Sequence, residues 1–276
     1  MNIGVRLHDV KGEGLENRLS TARAQGFTCV HLALHKVLGK TYMEPENLTE
    51  AFGKKVRSAL DANDMRLAVL GCYLNLAHPD PAALKAIQEK YFAHLSLLQS
   101  LGEGVLGTET GAPNAQYAFE PASHGEKALT AFIEGLAPVV RRAEALGLIV
   151  AIEPVYKHIV FDARRARKVL DALRSPALKI ILDPVNLLNA DNAGRHQAII
   201  REAAELLSGD IAALHVKDFI LEGGALKSVA AGEGLADWRA LLPGLVRIAP
   251  GCPITLENTT PENAARARQY VEHCLT

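Results

Sequence analysis

Four short apolar runs, each ending in a polar residue able to bind a divalent cation, constrain the fold of this chain most. The runs are residues 148–154 (LIVAIEP), 179–184 (KIILDP), 211–218 (IAALHVKD) and 253–258 (PITLEN). The polar residues at their ends are Glu153, Asp183, His215 and Glu257. A short apolar run closed in this way is typical of a buried parallel strand. Because burying an isolated carboxylate is costly, we expect Glu153 to be neutral, paired or bound to a metal.

The residues beside these four ends divide between two strand faces, because successive side chains of a strand point in opposite directions. The face of the four polar residues also carries Ala151, Ile181, Ala213 and Thr255. The opposite face carries Val150, Ile152, Ile180, Leu182, Leu214, Val216, Ile254 and Leu256. Barrel strands are expected to place mostly compact residues toward the barrel interior and branched aliphatic residues outward, against the helices. The division predicts that the four polar residues converge at one mouth.

Eight strand patterns alternate with eight helix patterns along the chain. Strands are predicted over residues 3–6, 29–34, 67–73, 105–109, 148–153, 179–183, 211–218 and 253–257. Helices are predicted over 50–63, 82–101, 163–173, 196–207, 238–248 and 261–273, and two more end near 25 and 147. The alternation predicts an α/β fold, a single (β/α)₈ TIM barrel formed by one domain over residues 1–276. A doubly wound sheet is the alternative. Ala193 falls in a polar loop, where we expect a larger side chain to be tolerated.

Composition excludes several classes of partner. The chain has 276 residues, 49% of them hydrophobic and 22% charged, with a formal net charge of -1. This balance gives no electrostatic footprint for nucleic acid or for an anionic membrane. No stretch approaches a membrane span, the first residues read as a strand rather than a signal peptide, and the four cysteines form no CxxC pair. We therefore expect a cytoplasmic protein with reduced thiols, without nucleic-acid or membrane partners; a homo-oligomer is left open.

The four strand ends together predict a metal site. Two glutamates, an aspartate and a histidine suit Mn²⁺, Mg²⁺ or Co²⁺, and the lack of a thiolate argues against structural zinc. Any one of these residues alone could be an ordinary structural residue. Four strands ending in the same way favour one bound divalent cation, with Mn²⁺ expected.

The same strand ends resemble the sugar phosphate isomerase/epimerase family of xylose-isomerase-like barrels. The matching segments are Glu153-Pro154, Asp183-Pro184-Val185-Asn186, His215-Val216-Lys217-Asp218, Glu257-Asn258, and Gly232-Glu233-Gly234 with Asp237-Trp238. The resemblance implies that Glu153, Asp183, His215 and Glu257 bind one divalent cation. It also implies that Glu153 and Glu257 serve as the acid/base pair.

Two departures limit what the resemblance implies about the substrate. Ketose 3-epimerases of this family carry a second glutamate where this chain has Ile159, and a histidine where it has Asn186. Their sugar recognition therefore does not carry over. The apurinic endonucleases share the barrel but use a histidine-rich trinuclear zinc site, which Asn186 and the residues after His215 do not match. The segment 215–218 looks more like the inosose dehydratase and uncharacterised isomerase branches.

Five further residues are predicted to contact the substrate: Lys217, His78, Glu109, His158 and Asn186. Lys217 shares a strand face with His215, so it either polarises a substrate oxygen or forms a salt bridge with a nearby acid. Glu109 either lines the pocket or caps a loop. The remaining histidines considered are predicted to be surface or packing residues: His31, His35, His94, His124, His196 and His273. The glycines at 223–224 and 232–234 are predicted to form turns.

Three functions are consistent with these residues. The first is an isomerase or epimerase of a ketose-like polyol or its phosphate, in which a metal stabilises an enediolate and two carboxylates move the proton. The second is a metal-dependent lyase, such as an inosose-type dehydratase or a C-glycoside deglycosidase. The third is a noncatalytic sugar-binding barrel, which the four-ligand set argues against because simple sugar binding needs no metal.

Overall fold

Eight parallel strands form a closed barrel in the computed structural model, which describes residues 2–276. The barrel strands are β1 (Ile3–Arg6), β2 (Cys29–Leu32), β3 (Arg66–Gly71), β4 (Val105–Glu109), β5 (Val150–Glu153), β6 (Leu178–Leu182), β7 (Ile211–Val216) and β10 (Ile254–Leu256). Neighbouring barrel strands follow chain order, and β10 closes the barrel by pairing with both β7 and β1. The predicted (β/α)₈ TIM barrel is confirmed.

Helices connect the strands around the outside. They are α1 (Gly14–Ala24), α2 (Leu34–Val37), α3 (Glu50–Ala62), α4 (Pro81–Leu101), α5 (Glu126–Ala145), α6 (Ala163–Leu173), α7 (His196–Leu207), α8 (Trp238–Ile248) and α9 (Ala264–His273). Thr49 and Asp237 cap α3 and α8 by accepting hydrogen bonds from backbone amides, as helix starts favour. Within residues 2–276, no helix is long and apolar enough to cross a bilayer.

The hydrophobic core has two parts, one on each side of the strands. A small cluster lies inside the barrel and contains Cys29, Ala68, Val69, Ala151, Ile181 and Ala213. The larger cluster lies between strands and helices and contains all eight residues predicted to face outward. At Gly107, a Cβ atom would lie 2.5 Å from Cγ1 of Val69, so little free space remains in the interior. The predicted inward positions of Ala151, Ile181 and Ala213 are confirmed.

A β-hairpin follows β7 where the sequence predicted one continuous strand to residue 218. Strands β8 (Asp218–Glu222) and β9 (Ala225–Val229) pair antiparallel. Gly223 and Gly224 join them with φ values of 58° and 78°, the left-handed conformation that a tight hairpin turn requires. The turn predicted at these glycines is therefore confirmed, although the hairpin around it was not predicted.

The base of the hairpin is held by Asp218. Its carboxylate accepts hydrogen bonds from the amides of Phe219 (2.8 Å), Ala236 (2.9 Å) and Gly232 (3.2 Å). A Cβ atom at Gly234 would lie 2.3 Å from Oδ1 of Asp218, so only glycine fits there. The turn predicted over residues 232–234 is thus confirmed, and it packs on the hairpin, which was not predicted.

Two local predictions were wrong. Strand β2 ends at Leu32, and the predicted strand residue Leu34 instead begins α2. Ala193 is only 2% exposed, because mutual hydrogen bonds between Asn189 and Asn192 fold the polar loop and pack the alanine against the core.

Candidate functional site

The four polar strand ends meet at the carboxyl end of the barrel. Glu153, Asp183, His215 and Glu257 are all buried, and one ligand-type atom from each lies within 4.8 Å of the others. Nδ1 of His215 lies 3.3 Å from Oε1 of Glu153 and 3.2 Å from Oε1 of Glu257. Because β5, β6, β7 and β10 are consecutive around the barrel, their ends reach one point, as the sequence pattern predicted.

Asp183 is oriented by the chain that follows it. Its Oδ1 accepts hydrogen bonds from the amides of Val185 (2.9 Å) and Asn186 (3.2 Å). Its Oδ2 lies 2.9 Å from Nζ of Lys217, which also donates a 3.0 Å hydrogen bond to Oε2 of Glu257. Lys217 is buried and forms the salt bridge that was one of its two predicted roles.

Burial and charge shift the pKa values of these groups in different directions. Burial raises the pKa of Asp183 to about 6. Burial alone would also raise the pKa of Glu257, but Lys217 and His215 lower it well below its usual range. For His215, burial alone would lower the pKa, whereas Glu153 and Glu257 raise it to about 10. The site therefore holds its charges by pairing them.

The donor set fits a hard divalent cation. Three carboxylates and one imidazole offer oxygen and nitrogen ligands, which suit Mn²⁺ or Mg²⁺ better than a thiolate-selecting metal. Buried carboxylates need charge compensation. Among residues 2–276, the lysine and arginine side chains that reach these three carboxylates are Lys217 and Arg6, whose Nη1 lies 3.4 Å from Oε2 of Glu257. Two positive charges do not balance three carboxylates, so a negative charge remains that a bound cation would compensate.

Two further side chains, His31 and Tyr73, support His215. The imidazole of His31 stacks on it, with 5.0 Å between ring centroids and 20° between planes. Oη of Tyr73 lies 2.5 Å from Nε2 of His31. His31 is buried, as a packing residue would be, but its partner is the candidate metal ligand. Strand alternation could have found it, since His31 follows Cys29 by two positions and so faces inward.

A cavity of about 210 Å³ opens above the carboxylates. Its lining comprises Arg6, His8, His31, Lys36, Tyr73, Glu109, Glu153, Val155, Lys157, His158, Asn186, Lys217 and Glu257. Four of the five predicted substrate contacts, Lys217, Glu109, His158 and Asn186, are among them. The fifth, His78, is not: it lies in the loop after β3, where its Nδ1 accepts a hydrogen bond from the amide of Asp80 (3.1 Å).

The pKa values of Glu109 and His158, which both line the cavity, are shifted. Burial and the nearby Glu257 raise the pKa of Glu109, which accepts a 3.3 Å hydrogen bond from Oη of Tyr117. Burial lowers the pKa of His158 to about 4, so its imidazole is neutral at pH 7. Asn186 donates a 2.8 Å hydrogen bond from Nδ2 to Oε1 of Glu153. The cavity thus offers both hydrogen-bond donors and acceptors to a polar ligand.

Comparison with solved structures finds the same fold in several proteins. A D-tagatose 3-epimerase-like protein superposes with a TM-score of 0.78 at 18% identity, covering 100% of this chain and 97% of that one. The IOLI protein, solved with a binding zinc atom, gives 0.74 at 16% identity, with 99% and 96% covered. A Mycobacterium smegmatis protein in complex with magnesium gives 0.71 at 14% identity, with 94% and 87% covered. At these identities the similarity shows the fold.

Sequence comparison identifies the family. No curated protein matches the chain. The family model described as xylose isomerase-like TIM barrel matches residues 19–274, nearly the whole chain. This match confirms the resemblance seen at the strand ends. The chain therefore belongs to the xylose isomerase-like TIM barrel family.

Proposed function

We propose that the protein is a divalent-metal-dependent sugar isomerase or epimerase acting on a ketose-like polyol or its phosphate. The observation that carries the proposal is the buried cluster of Glu153, Asp183, His215 and Glu257, within 4.8 Å of one another, beneath a polar cavity. Solved neighbours described as a D-tagatose 3-epimerase-like protein and a D-psicose 3-epimerase support the reaction class.

The four clustered residues would hold the cation. A bound divalent cation would supply Lewis-acid stabilisation of the negative charge that develops on substrate oxygens during proton removal. We keep Mn²⁺ as the expected ion, with Mg²⁺ or Co²⁺ as alternatives. One solved neighbour is described with zinc and another with magnesium, so the neighbours support a metal without selecting this one.

Glu153 and Glu257 are the proposed acid/base pair. An oxygen of each lies close to Nδ1 of His215, at 3.3 Å for Glu153 and 3.2 Å for Glu257, and both residues line the same cavity. Asn186 orients Glu153, while Lys217 and Arg6 hold Glu257 as a carboxylate. One carboxylate would remove a proton from a substrate carbon, and the other would return a proton, at the opposite face or the adjacent carbon. General acid–base catalysis of this kind contributes about 10²–10⁴-fold in rate.

A lyase is the second candidate, and Glu109 is the observation that favours it. This residue ends β4 beside Glu153 in the strand register, and burial raises its pKa. A raised pKa favours the protonated form of a carboxyl group, which can donate its proton to a departing hydroxyl. An inosose-type dehydratase would use such an additional acid, whereas an epimerase needs no acid beyond the proposed pair Glu153 and Glu257. A C-glycoside deglycosidase is a variant of the same candidate. A cytoplasmic location is expected for any of them.

Deuterium exchange tests the proposal. We expect protein loaded with Mn²⁺ in D₂O to incorporate deuterium into a ketose or inosose. The incorporation is measured by mass spectrometry after the metal is removed. Glu153→Gln and Glu257→Gln, with metal occupancy confirmed, should slow turnover by about 10²–10⁴-fold because glutamine cannot accept the proton. Glu50→Gln on the surface of α3 is the matched control. A product that has lost water identifies the lyase; parental rates in both site variants refute the proton-transfer mechanism.

A further inference from the structure

A groove adjoins the cavity at the mouth of the barrel. It has a volume of about 560 Å³ and lies between the hairpin β8–β9 and the loops that follow β5 and β6. The groove and the cavity share three lining residues, Val155, Lys157 and Asn186. The two spaces therefore adjoin each other at these three residues.

The volumes indicate that the cavity is only part of the binding site. Small-molecule sites typically occupy about 300–1,000 Å³. The cavity, at about 210 Å³, lies below that range, whereas the groove, at about 560 Å³, lies within it. A ligand that placed its reacting carbon over Glu153 and Glu257 and stopped there would leave the larger space unused.

The lining of the groove suits a sugar ring. Leu188 and Leu226 provide apolar surface, while Asn189, Asp191 and Ser228 provide hydrogen-bonding groups. Apolar walls with a few placed polar groups are what orient a small ligand. A pyranose or furanose ring presents both apolar C–H faces and a rim of hydroxyl groups, so it can use both kinds of surface.

Asn186 connects the two spaces. Its side chain donates the 2.8 Å hydrogen bond to Oε1 of Glu153, and its carbonyl accepts a 2.7 Å hydrogen bond from the amide of Tyr156, another groove residue. One residue therefore touches the candidate acid/base group and helps form the groove wall. A ring lying in the groove would therefore lie beside the residue that contacts Glu153.

We infer that the groove is a subsite for a second ring, so that the substrate is a glycoside-like molecule of two linked rings. The reacting ring occupies the cavity and the second ring lies between the hairpin and Asn186. The inference rests on the proposed function for the nature of the reacting ring. The hairpin, absent from the minimal barrel, supplies one wall through Gly224, Ala225, Leu226 and Ser228.

Ligand binding tests the subsite without turnover. The probes are D-fructose, which has one ring, and the two-ring ketoses turanose and isomaltulose, titrated into Mg²⁺-loaded protein by saturation-transfer NMR. We expect the two-ring probes to bind at least about 10-fold more tightly than D-fructose. Equal affinity of all three probes, or no binding of any of them, overturns the subsite.

Matched variants on the two faces of β9 locate the second ring. Ser228→Trp fills the groove, and Lys227→Trp adds the same bulk on the opposite face, where Lys227 contacts Glu222 at 3.0 Å. We expect Ser228→Trp to abolish the preference for two-ring probes while leaving D-fructose binding unchanged, and Lys227→Trp to preserve the preference. A preference that survives in Ser228→Trp overturns the inference. The two proposals can also fail separately. If the parent protein prefers the two-ring probes but incorporates no deuterium into any probe, the proposed reaction is refuted and the subsite is retained.

Discussion

At the scale of single residues, the two oxygens of Asp183 have different tasks. Oδ1 is fixed by the amides of Val185 and Asn186, and Oδ2 faces Lys217 and the rest of the cluster. An asparagine could keep the backbone hydrogen bonds through its carbonyl oxygen while losing the charge. The position therefore separates a structural role from a ligand role.

We predict that the protein binds one divalent cation per chain and that Asp183→Asn or His215→Ala weakens that binding. Loss of a residue that only supports a ligand typically costs 10–100-fold in affinity, so loss of a ligand should cost at least about 100-fold. Isothermal titration calorimetry with Mn²⁺ measures the effect. Asp191→Asn, on an exposed loop, is the control and should bind as the parent does. Parental affinity in both site variants would contradict the assignment.

The site could be predicted in part because ligand-type residues end recognisable apolar runs. Glu153, Asp183, His215 and Glu257 all satisfy that rule, and the structure brings them together. His31 was missed because apolar residues follow it, so nothing in the run marks an end. Its contact with His215 comes from barrel closure, which brings β2 and β7 together across the interior. His78 was predicted to contact the substrate only because its loop follows a strand. The position of a residue in a loop does not determine the direction of its side chain.

At the scale of elements, the two ends of the barrel differ in their chemistry. At the end opposite the cavity, Glu103 in the loop between α4 and β4 accepts hydrogen bonds from Arg57 on α3, Arg66 on β3 and the amide of Leu67. One carboxylate thus joins α3 and β3 to the loop that precedes β4. Charged residues at this end of a TIM barrel serve stability, whereas those at the other end serve the reaction.

We predict that Glu103→Gln lowers the free energy of unfolding by about 1–3 kcal/mol at pH 7, as expected for hydrogen bonds to a charged group. Burial alone would raise the pKa of Glu103, but the bonds from Arg57, Leu67 and Arg66 lower it. A lowered pKa stabilises the fold above the unfolded value of about 4.3 and ceases to do so as the pH falls through the folded value. Urea unfolding should therefore show a parent–variant difference at pH 7 that shrinks below about pH 4. A difference independent of pH would contradict the charge argument, and Glu50→Gln should change stability far less.

The hairpin β8–β9 depends on Asp218. We predict that Asp218→Ala leaves the amides of Phe219, Gly232 and Ala236 without an acceptor, at a cost of about 1–3 kcal/mol for each group that stays buried. Hydrogen–deuterium exchange should then accelerate over residues 218–236 and little elsewhere. Asp218→Asn keeps one carboxamide oxygen and should show a smaller change. Identical exchange in the parent and both variants would show that Asp218 does not anchor the hairpin.

The hairpin strand β8 and the packed loop around Ala193 were not predicted, each for a different physical reason. Phe219, Ile220 and Leu221 are three consecutive apolar residues, so β8 lacks the alternation that marks a half-exposed strand. The loop around Ala193 is polar in composition, but Asn189 and Asn192 bond to each other's backbone and fold it into a compact turn. Helices with strong caps were predicted well, because Thr49 and Asp237 mark their starts locally.

At the scale of the whole molecule, the inner core is narrow. We predict that Ala151→Leu and Ala213→Leu each destabilise the protein by about 1–3 kcal/mol, because overpacking a filled interior forces strained side chains. For domains of roughly this size, each kcal/mol lowers the melting temperature by about 2–4 °C. Ala86→Leu, exposed on α4, is the control and should melt close to the parent. Equal losses at all three positions would contradict the narrow interior.

The pairing of β10 with both β1 and β7 has a consequence for synthesis on the ribosome. Translation delivers β10 after the other seven barrel strands, so the nascent chain holds an open sheet whose β1 and β7 edges lack partners. Glu257 directly follows β10 and emerges with it. Glu153, Asp183 and His215 are therefore synthesised before Glu257. The strand that closes the barrel also brings the last residue of the cluster. A polypeptide arrested before that point carries neither a closed barrel nor the chemistry proposed for it.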